Sequence, residues 1–298
     1  METLQYCLLT ACRNEAKLIP KAIKAMVQQS HKPGLWLILD DGSTDGTPEI
    51  VEEMAGGHEW IQVKRLDPRK ERSFGAQYRA IMGGYEQIRA LPFDFIGVLD
   101  ADISFENTGY YQTIMDEFRN NPKLGIAGGA IYEKKHDIFK YRRSNVEWSV
   151  AGGVQTFRRK TFEDIGGYIP LEYGGSDGLA VLMAKMKGWE VRSLSQLQAL
   201  HHRPSTTADG AMRGAFRTGI MDAALGYHPL FMAFKCIHRL PLRPVVFGAM
   251  LSFTGYWYYK LKGYRPVIPN EVINYLRETQ FRRMSSAIRL KGANLPGL

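Results

Sequence analysis

From Tyr6 to Leu99 the chain alternates between short apolar runs and longer segments of helical spacing. The runs fall at residues 6–10, 35–39, 61–66 and 95–99. Between them, residues 16–29 carry Leu18, Ile19, Ala22, Ile23, Met26 and Val27 at helical intervals, and residues 76–89 carry Tyr78, Ile81, Met82, Tyr85 and Ile88. A short continuous apolar run reads as a strand buried on both faces, and the i, i+3, i+4 pattern reads as an amphipathic helix. Strand and helix in strict alternation call for an α/β fold: a mostly parallel sheet with helices on both faces.

Two of these strands end in paired acids, Asp40-Asp41 and Asp100-Ala101-Asp102. Ligands of open α/β sheets sit at the carboxyl ends of the strands. Acids at i and i+2 of an extended backbone project to the same side, so both can face one cation or one ribose. Mg2+ prefers oxygen ligands, and one or two carboxylates plus substrate phosphates commonly hold it. The tripeptide Asp-x-Asp is weak alone and gains weight from its place after a buried strand. The loop Gly42-Ser43-Thr44-Asp45-Gly46-Thr47-Pro48 is turn chemistry, with Thr47 expected as a helix N-cap and Pro48 at the first helical position.

The second part reads as a helix at 107–120, a strand at 124–132, a charged surface loop at 133–143, and a close backbone approach leading into a strand at 152–159. A short helix at 162–167 and a helix at 178–187 follow, the latter with Ser176 or Asp177 as its expected N-cap. Residues 189–193 read as an edge strand. From His201 onward the pattern is helical, at 212–225, 228–239, 243–262 and 271–284.

Charge separates the two parts. Residues 1–200 hold 25 Lys+Arg against 26 Asp+Glu, and residues 201–298 hold 14 against 4, which together give the net +9 of the chain. A surplus confined to the last third points to an anionic partner for it. Short aromatic helices edged with Lys and Arg lie in a membrane interface rather than span it, and no apolar stretch reaches the roughly 18–20 residues of a spanning helix. The three cysteines Cys7, Cys12 and Cys236 have no metal-ligand spacing, and the N-terminus has no secretory pattern, which together place the expected site of action in a reducing cytoplasm.

Four motifs occur in order: Thr10-Ala11-Cys12-Arg13-Asn14-Glu15, Asp40-Asp41-Gly42-Ser43-Thr44-Asp45-Gly46-Thr47, Asp100-Ala101-Asp102 and Gly175-Ser176-Asp177. The set resembles the family-two inverting glycosyltransferases of GT-A fold over residues 4–203. The resemblance implies a Rossmann-like catalytic domain at 1–203, with nucleotide-sugar binding at 1–103 and the acceptor side at 104–203, followed by a helical, basic, amphipathic region at 204–298. It implies that Thr10, Ala11, Arg13 and Glu15 line the nucleotide pocket and that Asp41 reads the base. Asp100, with Ala101, is expected at the ribose or at metal-bound water, Asp102 on Mg2+ or Mn2+, and Asp177 as the general base. Ser176 stands where the family usually has Glu, so Asp177 is the sole carboxylate there. His202 is the candidate to complete the metal shell, and Arg79 and Arg72 to reach donor phosphates. The motifs Gly226-Tyr227-His228-Pro229-Leu230-Phe231, Arg243-Pro244, Gly255-Tyr256 and 276–283 resemble the tails of bacterial enzymes that extend lipid-linked exopolysaccharide repeats.

The expected activity is metal-dependent transfer of one sugar, with inversion, from a nucleotide-diphosphate sugar to a polyprenyl-diphosphate-linked saccharide. The enzyme would work peripherally, on the anionic inner face of the cell membrane. Gln280-Phe281-Arg282-Arg283 lacks the Trp of the processive synthases' Gln-x-x-Arg-Trp and reads as chance. A polyprenyl-phosphate sugar synthase is the alternative within the enzymes. A non-catalytic nucleotide- or nucleic-acid-binding module is the alternative outside them, although no nucleic-acid motif accompanies the basic tail. A dinucleotide dehydrogenase is excluded, because Gly-x-Gly-x-x-Gly is absent after the first strand.

Overall fold

The computed structural model describes residues 5–67, 74–135, 137–142, 144–203, 210–240 and 246–290. The chain divides into two units, Met1–Ser205 and Thr206–Leu298.

In the first unit the strands are β1 (Tyr6–Cys12), β2 (Leu35–Asp40), β3 (Ile61–Arg65), β4 (Phe95–Val98), β5 (Ile103–Ser104), β6 (Leu124–Lys135), β7 (Ile138–Tyr141), β8 (Thr156–Arg158) and β9 (Glu190–His201). The helices are α1 (Ile19–Val27), α2 (Thr47–Ala55), α3 (Phe74–Ile88), α4 (Tyr110–Asn120), α5 (Arg159–Asp164) and α6 (Ser176–Met186), with a 3-10 turn at Gly152–Val154. All nine strands join one sheet in the order β3-β2-β1-β4-β8-β6-β9-β5, with β7 paired to β6. The half β3-β2-β1-β4 is parallel, as the alternation requires. Beyond β4 the pairing is mixed: β8 runs antiparallel to β4 and β6, while β9 runs parallel to β6. Asp100 therefore leaves the sheet where strand direction changes, a position that opens a crevice.

The core explains the strand assignments. Trp36, Tyr6, Phe95, Phe157 and Leu8 are fully buried. Thr10 is buried too, and its hydroxyl is spent there: Oγ1 donates to the Leu99 carbonyl (2.7 Å) and accepts from Trp36 Nε1 (2.9 Å). Arg158 lies over the Phe95 and Phe118 rings and donates to the Phe118 carbonyl at 2.8 Å, so its cation is held inside the sheet's flank.

Several elements differ from the sequence expectations. The charged stretch expected as a loop is a hairpin, with Tyr132 opposite Tyr141 and Lys135 opposite Ile138. Glu133 stands opposite Lys140, whereas Tyr132, Phe139 and Tyr141 share the other face with Lys134. The expected edge strand is longer and internal: β9 runs to His201, between β6 and the two-residue β5. Both expected side-chain caps are replaced by glycine. Gly46 precedes α2 and Gly175 precedes α6, each with left-handed φ (85° and 93°).

The second unit is helical: α7 (Gly210–Ala224), α8 (Pro229–Arg239), α9 (Phe247–Leu261) and α10 (Asn270–Leu290). α7 and α9 pack backbone to backbone, because a Cβ on Gly219 or Gly255 would strike the opposing helix. Ile220, Ala223, Met232, Tyr256 and Tyr259 form a small core there. Asp222, completely buried, is neutralised by Lys235 at 2.6 Å.

Candidate active site

Strand ends and one helix start converge on a cluster of acids. The ladder between β5 and β9 pairs Ile103 with His201. That register sets His201 Nε2 3.2 Å from Asp102 Oδ1. Two residues on, Arg203 forks onto the Glu15 carboxylate, Nη1 to Oε1 at 2.9 Å, and its Nε lies 3.9 Å from Asp102 Oδ2. Glu15, Asp102, His201 and Arg203 thus form one connected group.

The 3-10 turn ties Asp100 to Asp177. The Gly153 carbonyl accepts from Asp100 N at 3.0 Å, and Gly152 N donates to Asp177 Oδ2 at 3.2 Å. Successive Cα atoms are about 3.8 Å apart, so both acids front one short turn. Only hydrogen fits at these two positions. A Cβ on Gly153 would press into the Asp100 carboxylate, 2.8 Å from Cγ, and one on Gly152 would meet Tyr78 Oη at 2.7 Å and Asp177 Cβ at 2.8 Å. Gln77 Nε2 donates to Asp100 Oδ1 at 2.7 Å. Behind Asp177, Gln155 donates to its backbone carbonyl (3.3 Å) and accepts from Tyr168 Oη (2.6 Å).

The remaining motif residues lace two loops together. Asn14, at φ 58°, receives the Thr44 N–H (2.8 Å) and donates its own N–H to Ser43 Oγ (2.8 Å). Glu15 N donates to Thr47 Oγ1 (2.9 Å), and Ala16 N to Asp45 Oδ2 (3.1 Å). Asp45, Ser43, Thr44 and Thr47 therefore fix loop shape, leaving buried Asp41 at the end of β2, its N–H on the Cys12 carbonyl (2.9 Å). Ala11 and Arg13 are half-buried beside it, and Ala101 is buried between the two site acids.

Some expected placements change. Thr10 offers the pocket no side chain, since its hydroxyl is used in the core. Arg79 is ion-paired with Glu172. His202 contacts Ser104 Oγ (2.8 Å) and Lys21 Nζ (3.5 Å), and the imidazole bonded to Asp102 is His201, the last residue of β9. Arg72 lies outside the described residues, as does Arg243. Arg203 and Gln77 are not singled out by the sequence pattern, and of the two adjacent histidines it favours His202 over His201. The Gly152-Gly153 pair is the available signal, and in sequence it reads only as a close backbone approach.

The electrostatics follow from crowding. Burial pushes Asp100 up to about 6, the neighbouring Asp102 charge adds to this and Asp177 adds a little, while His201 and the Gln77 hydrogen bond oppose it. Burial pulls His201 down, but the hydrogen bond and charge of Asp102, with Asp100, outweigh it and leave His201 raised. Burial and Lys21 bring His202 down to about 4. Burial, then Asp177, Tyr168 and Asp100, hold the Tyr78 phenol well above its usual range, so it stays neutral.

This crowding makes a pH prediction. Asp100 titrates higher folded than at its ordinary 3.8, so its proton favours the folded state, and that stability is lost as pH rises from about 4 through about 6. In chelator-containing buffer, Asp100→Asn should melt above the parent at pH 8 and close to it at pH 4. Thermal melts across that range decide it, and an equal gap at both ends would contradict the crowding.

Among the described residues no three His, Cys, Asp or Glu side chains form a ready-made metal cage. The donor set around Asp102 suits instead a hard cation that takes most of its ligands from phosphate and water.

The model of "Glycosyl transferase family 2" matches residues 7–172, more than half of the chain. The chain belongs to this family. A curated relative, poly-beta-1,6-N-acetyl-D-glucosamine synthase of Staphylococcus epidermidis, is 24% identical over 176 residues, covering 53% of this chain. The family 2 chain spans only 40% of that relative's length. Solved structures share the fold at low identity. The mannosyltransferase PcManGT from Pyrobaculum calidifontis, in complex with GDP-Man and Mn2+, superposes with a TM-score of 0.57 at 14% identity, over 97% of this chain and 81% of that one. S. aureus TarS 1-349 in complex with UDP-GlcNAc gives 0.55 at 12% identity, over 88% of this family 2 chain and 74% of TarS 1-349.

Proposed function

We propose that this family 2 protein is an inverting glycosyltransferase that moves one sugar per event from a nucleotide-diphosphate sugar to an acceptor hydroxyl. The observation that carries this is the Gly152–Val154 turn, which fronts Asp100 with one backbone group and Asp177 with the next. Donor-side and acceptor-side carboxylates then stand at one turn. Asp177, fixed by Gly152 N, accepts the proton of the incoming hydroxyl as the new bond forms. A single base on the side opposite the leaving group gives one displacement and inversion. Glu15, Asp41, Ala11 and Arg13 form the nucleoside end, and Asp100 the ribose side. Asp102 with His201 would hold Mg2+ or Mn2+, which supplies charge neutralisation for the departing diphosphate. Arg203 orients Glu15 and Asp102 together. The structural relatives seen with nucleotide sugars support this reading.

The test is a thermal-shift screen with Mn2+ and a panel of UDP-, GDP- and dTDP-sugars. A bound ligand at a hundred times its Kd stabilises by about 2.7 kcal/mol. One nucleotide class is expected to raise the melting point, with the rise dependent on Mn2+. No shift from any of them would remove the donor-site reading.

The acceptor we propose is a lipid-linked saccharide, presented at an anionic membrane. On α9, Phe247, Met250, Phe253, Trp257 and Leu261 recur at helical spacing and are exposed, and Leu230 and Ile237 of α8 are exposed as well. With 14 Lys+Arg against 4 Asp+Glu in residues 201–298, such a surface suits interfacial docking. Each cation near an anionic leaflet adds about 1 kcal/mol. No described helix is long and apolar enough to cross a membrane. The full chain is expected to float with phosphatidylglycerol vesicles and not with neutral ones, and indifference to lipid charge would count against docking.

A further inference from the structure

A groove of about 330 Å3 lies beside β9 in the first unit, away from the acid cluster. It is made by an irregularity of the sheet. Gly129 of β6 pairs with Leu194 and the next residue, Ala130, pairs with Gln198, so Ser195, Gln196 and Leu197 are left over on β9. Leu197 turns inward and is buried, whereas Ser195 and Gln196 are exposed in the groove. Bulges of this kind re-aim side chains and cluster near functional sites.

The groove's chemistry is selective. Its polar lining is mostly uncharged: Tyr141, with a half-exposed ring, Ser193, Ser195 and Gln196. The guanidinium of Arg192 is held by Glu117 at 2.9 Å, and Glu147 adds a further carboxylate. Acids outnumber the cation, which disfavours a phosphate ligand. Hydroxyl and amide groups beside an aromatic ring match a ligand that carries many hydroxyls on apolar faces.

The groove is also tied to the proposed base. The segment carrying Glu147 continues to Gly152, which bonds Asp177, and Ser193 N donates to the Glu147 carbonyl at 2.7 Å. Lys185 Nζ at the far end of α6 donates to the carbonyl of Trp148 (2.6 Å), the residue after Glu147, and the Trp148 ring is exposed. Asp177 and Lys185 are eight residues apart on α6, about 12 Å along the helix axis at 1.5 Å per residue. The segment runs from a bond near one end of α6 to a bond near the other, and a ligand that follows it is an oligosaccharide rather than one sugar.

We propose that this groove is a remote acceptor subsite that holds a neutral or amino-sugar oligosaccharide several units away from the sugar being extended. The proposal rests on the glycosyltransferase reading of the acid cluster, and it gives that site a length requirement. The experiment is retention of the full chain on a printed array of bacterial surface glycans, from monosaccharides to octasaccharides. It compares the parent, Tyr141→Ala/Gln196→Ala, Ser195→Trp and Asp177→Asn. Ser195 is exposed, so Ser195→Trp fills the groove without entering the core.

Longer glycans should be retained by the parent and by Asp177→Asn. Both groove variants should lose at least tenfold, the equivalent of about 1.4 kcal/mol. The thermal response to the donor nucleotide, measured on the same samples, should be unchanged and shows that the variants are folded. If no glycan is retained, or the groove variants retain as much as the parent, the subsite is overturned. Loss of the nucleotide response in the parent would instead overturn the donor site.

Discussion

Asp177→Asn should lower sugar transfer about a thousandfold while leaving the donor-induced thermal shift unchanged. Removing a positioned general base costs typically 10²–10⁴ in rate. Asparagine keeps the shape of the side chain, and its oxygen can still accept from Gly152 N, so the turn is preserved. The neighbouring Ser176 cannot take over the proton, because it is fully buried and its hydroxyl accepts from Leu171 N at 3.0 Å. Donor hydrolysis gives a rate even before the acceptor is known, because water then takes the hydroxyl's place. A loss of less than tenfold in that hydrolysis would take the general-base role away from Asp177, and undiminished transfer by the variant to a bare lipid phosphate, which arrives already ionised, would favour the polyprenyl-phosphate synthase alternative.

The second large effect is expected at a residue with no chemistry of its own. Gly153→Ala drives a methyl group into the Asp100 carboxylate and against Ile103 Cδ1, 2.8 Å away. Asp100 cannot simply retreat, because its N–H is bonded to Gly153 and its Oδ1 to Gln77. Overpacking of this kind costs about 1–3 kcal/mol, and a 1 Å displacement of a positioning group can cost about 10²-fold in rate. The variant should therefore melt lower and turn over roughly a hundredfold more slowly. Gly178→Ala is the matched control, since that glycine lies in α6 with open space around it. Alanine there should be neutral or stabilising by up to about 1 kcal/mol. Equal behaviour of the two variants would contradict the close fit at Gly153.

The parallel half of the sheet was legible because each strand is a short apolar run and each helix an amphipathic one, a signal carried by local spacing. The mixed half was less so. β5 is two residues long, and β9 is rich in Ser and Gln with a broken ladder, so periodicity alone could not follow it to His201. The hairpin was hidden by its charges, since Glu133, Lys134 and Lys135 run consecutively and break the period of two that marks a half-buried strand. At the site, the acids were recognisable from their place after strands and from the family resemblance. What holds them was not: Arg203 reaches Glu15 across 188 positions of sequence, and Gly152 reaches Asp177 across 25. Long-range partners leave no periodic trace. Thr10 shows the reverse case, a motif residue whose hydroxyl is consumed by Leu99 and Trp36.

The ladder of β9 beyond its leftover residues also decides a question that composition leaves open. His201 and His202 are chemically identical, and the register that pairs His201 with Ile103 and Glu133 selects which imidazole meets Asp102. Shifting that ladder by a single residue would hand the role to its neighbour, since strand side chains alternate faces with every step. The sheet thus works as an indexing mechanism, and the doubled histidine lets one position of slippage leave a ring in the same seat.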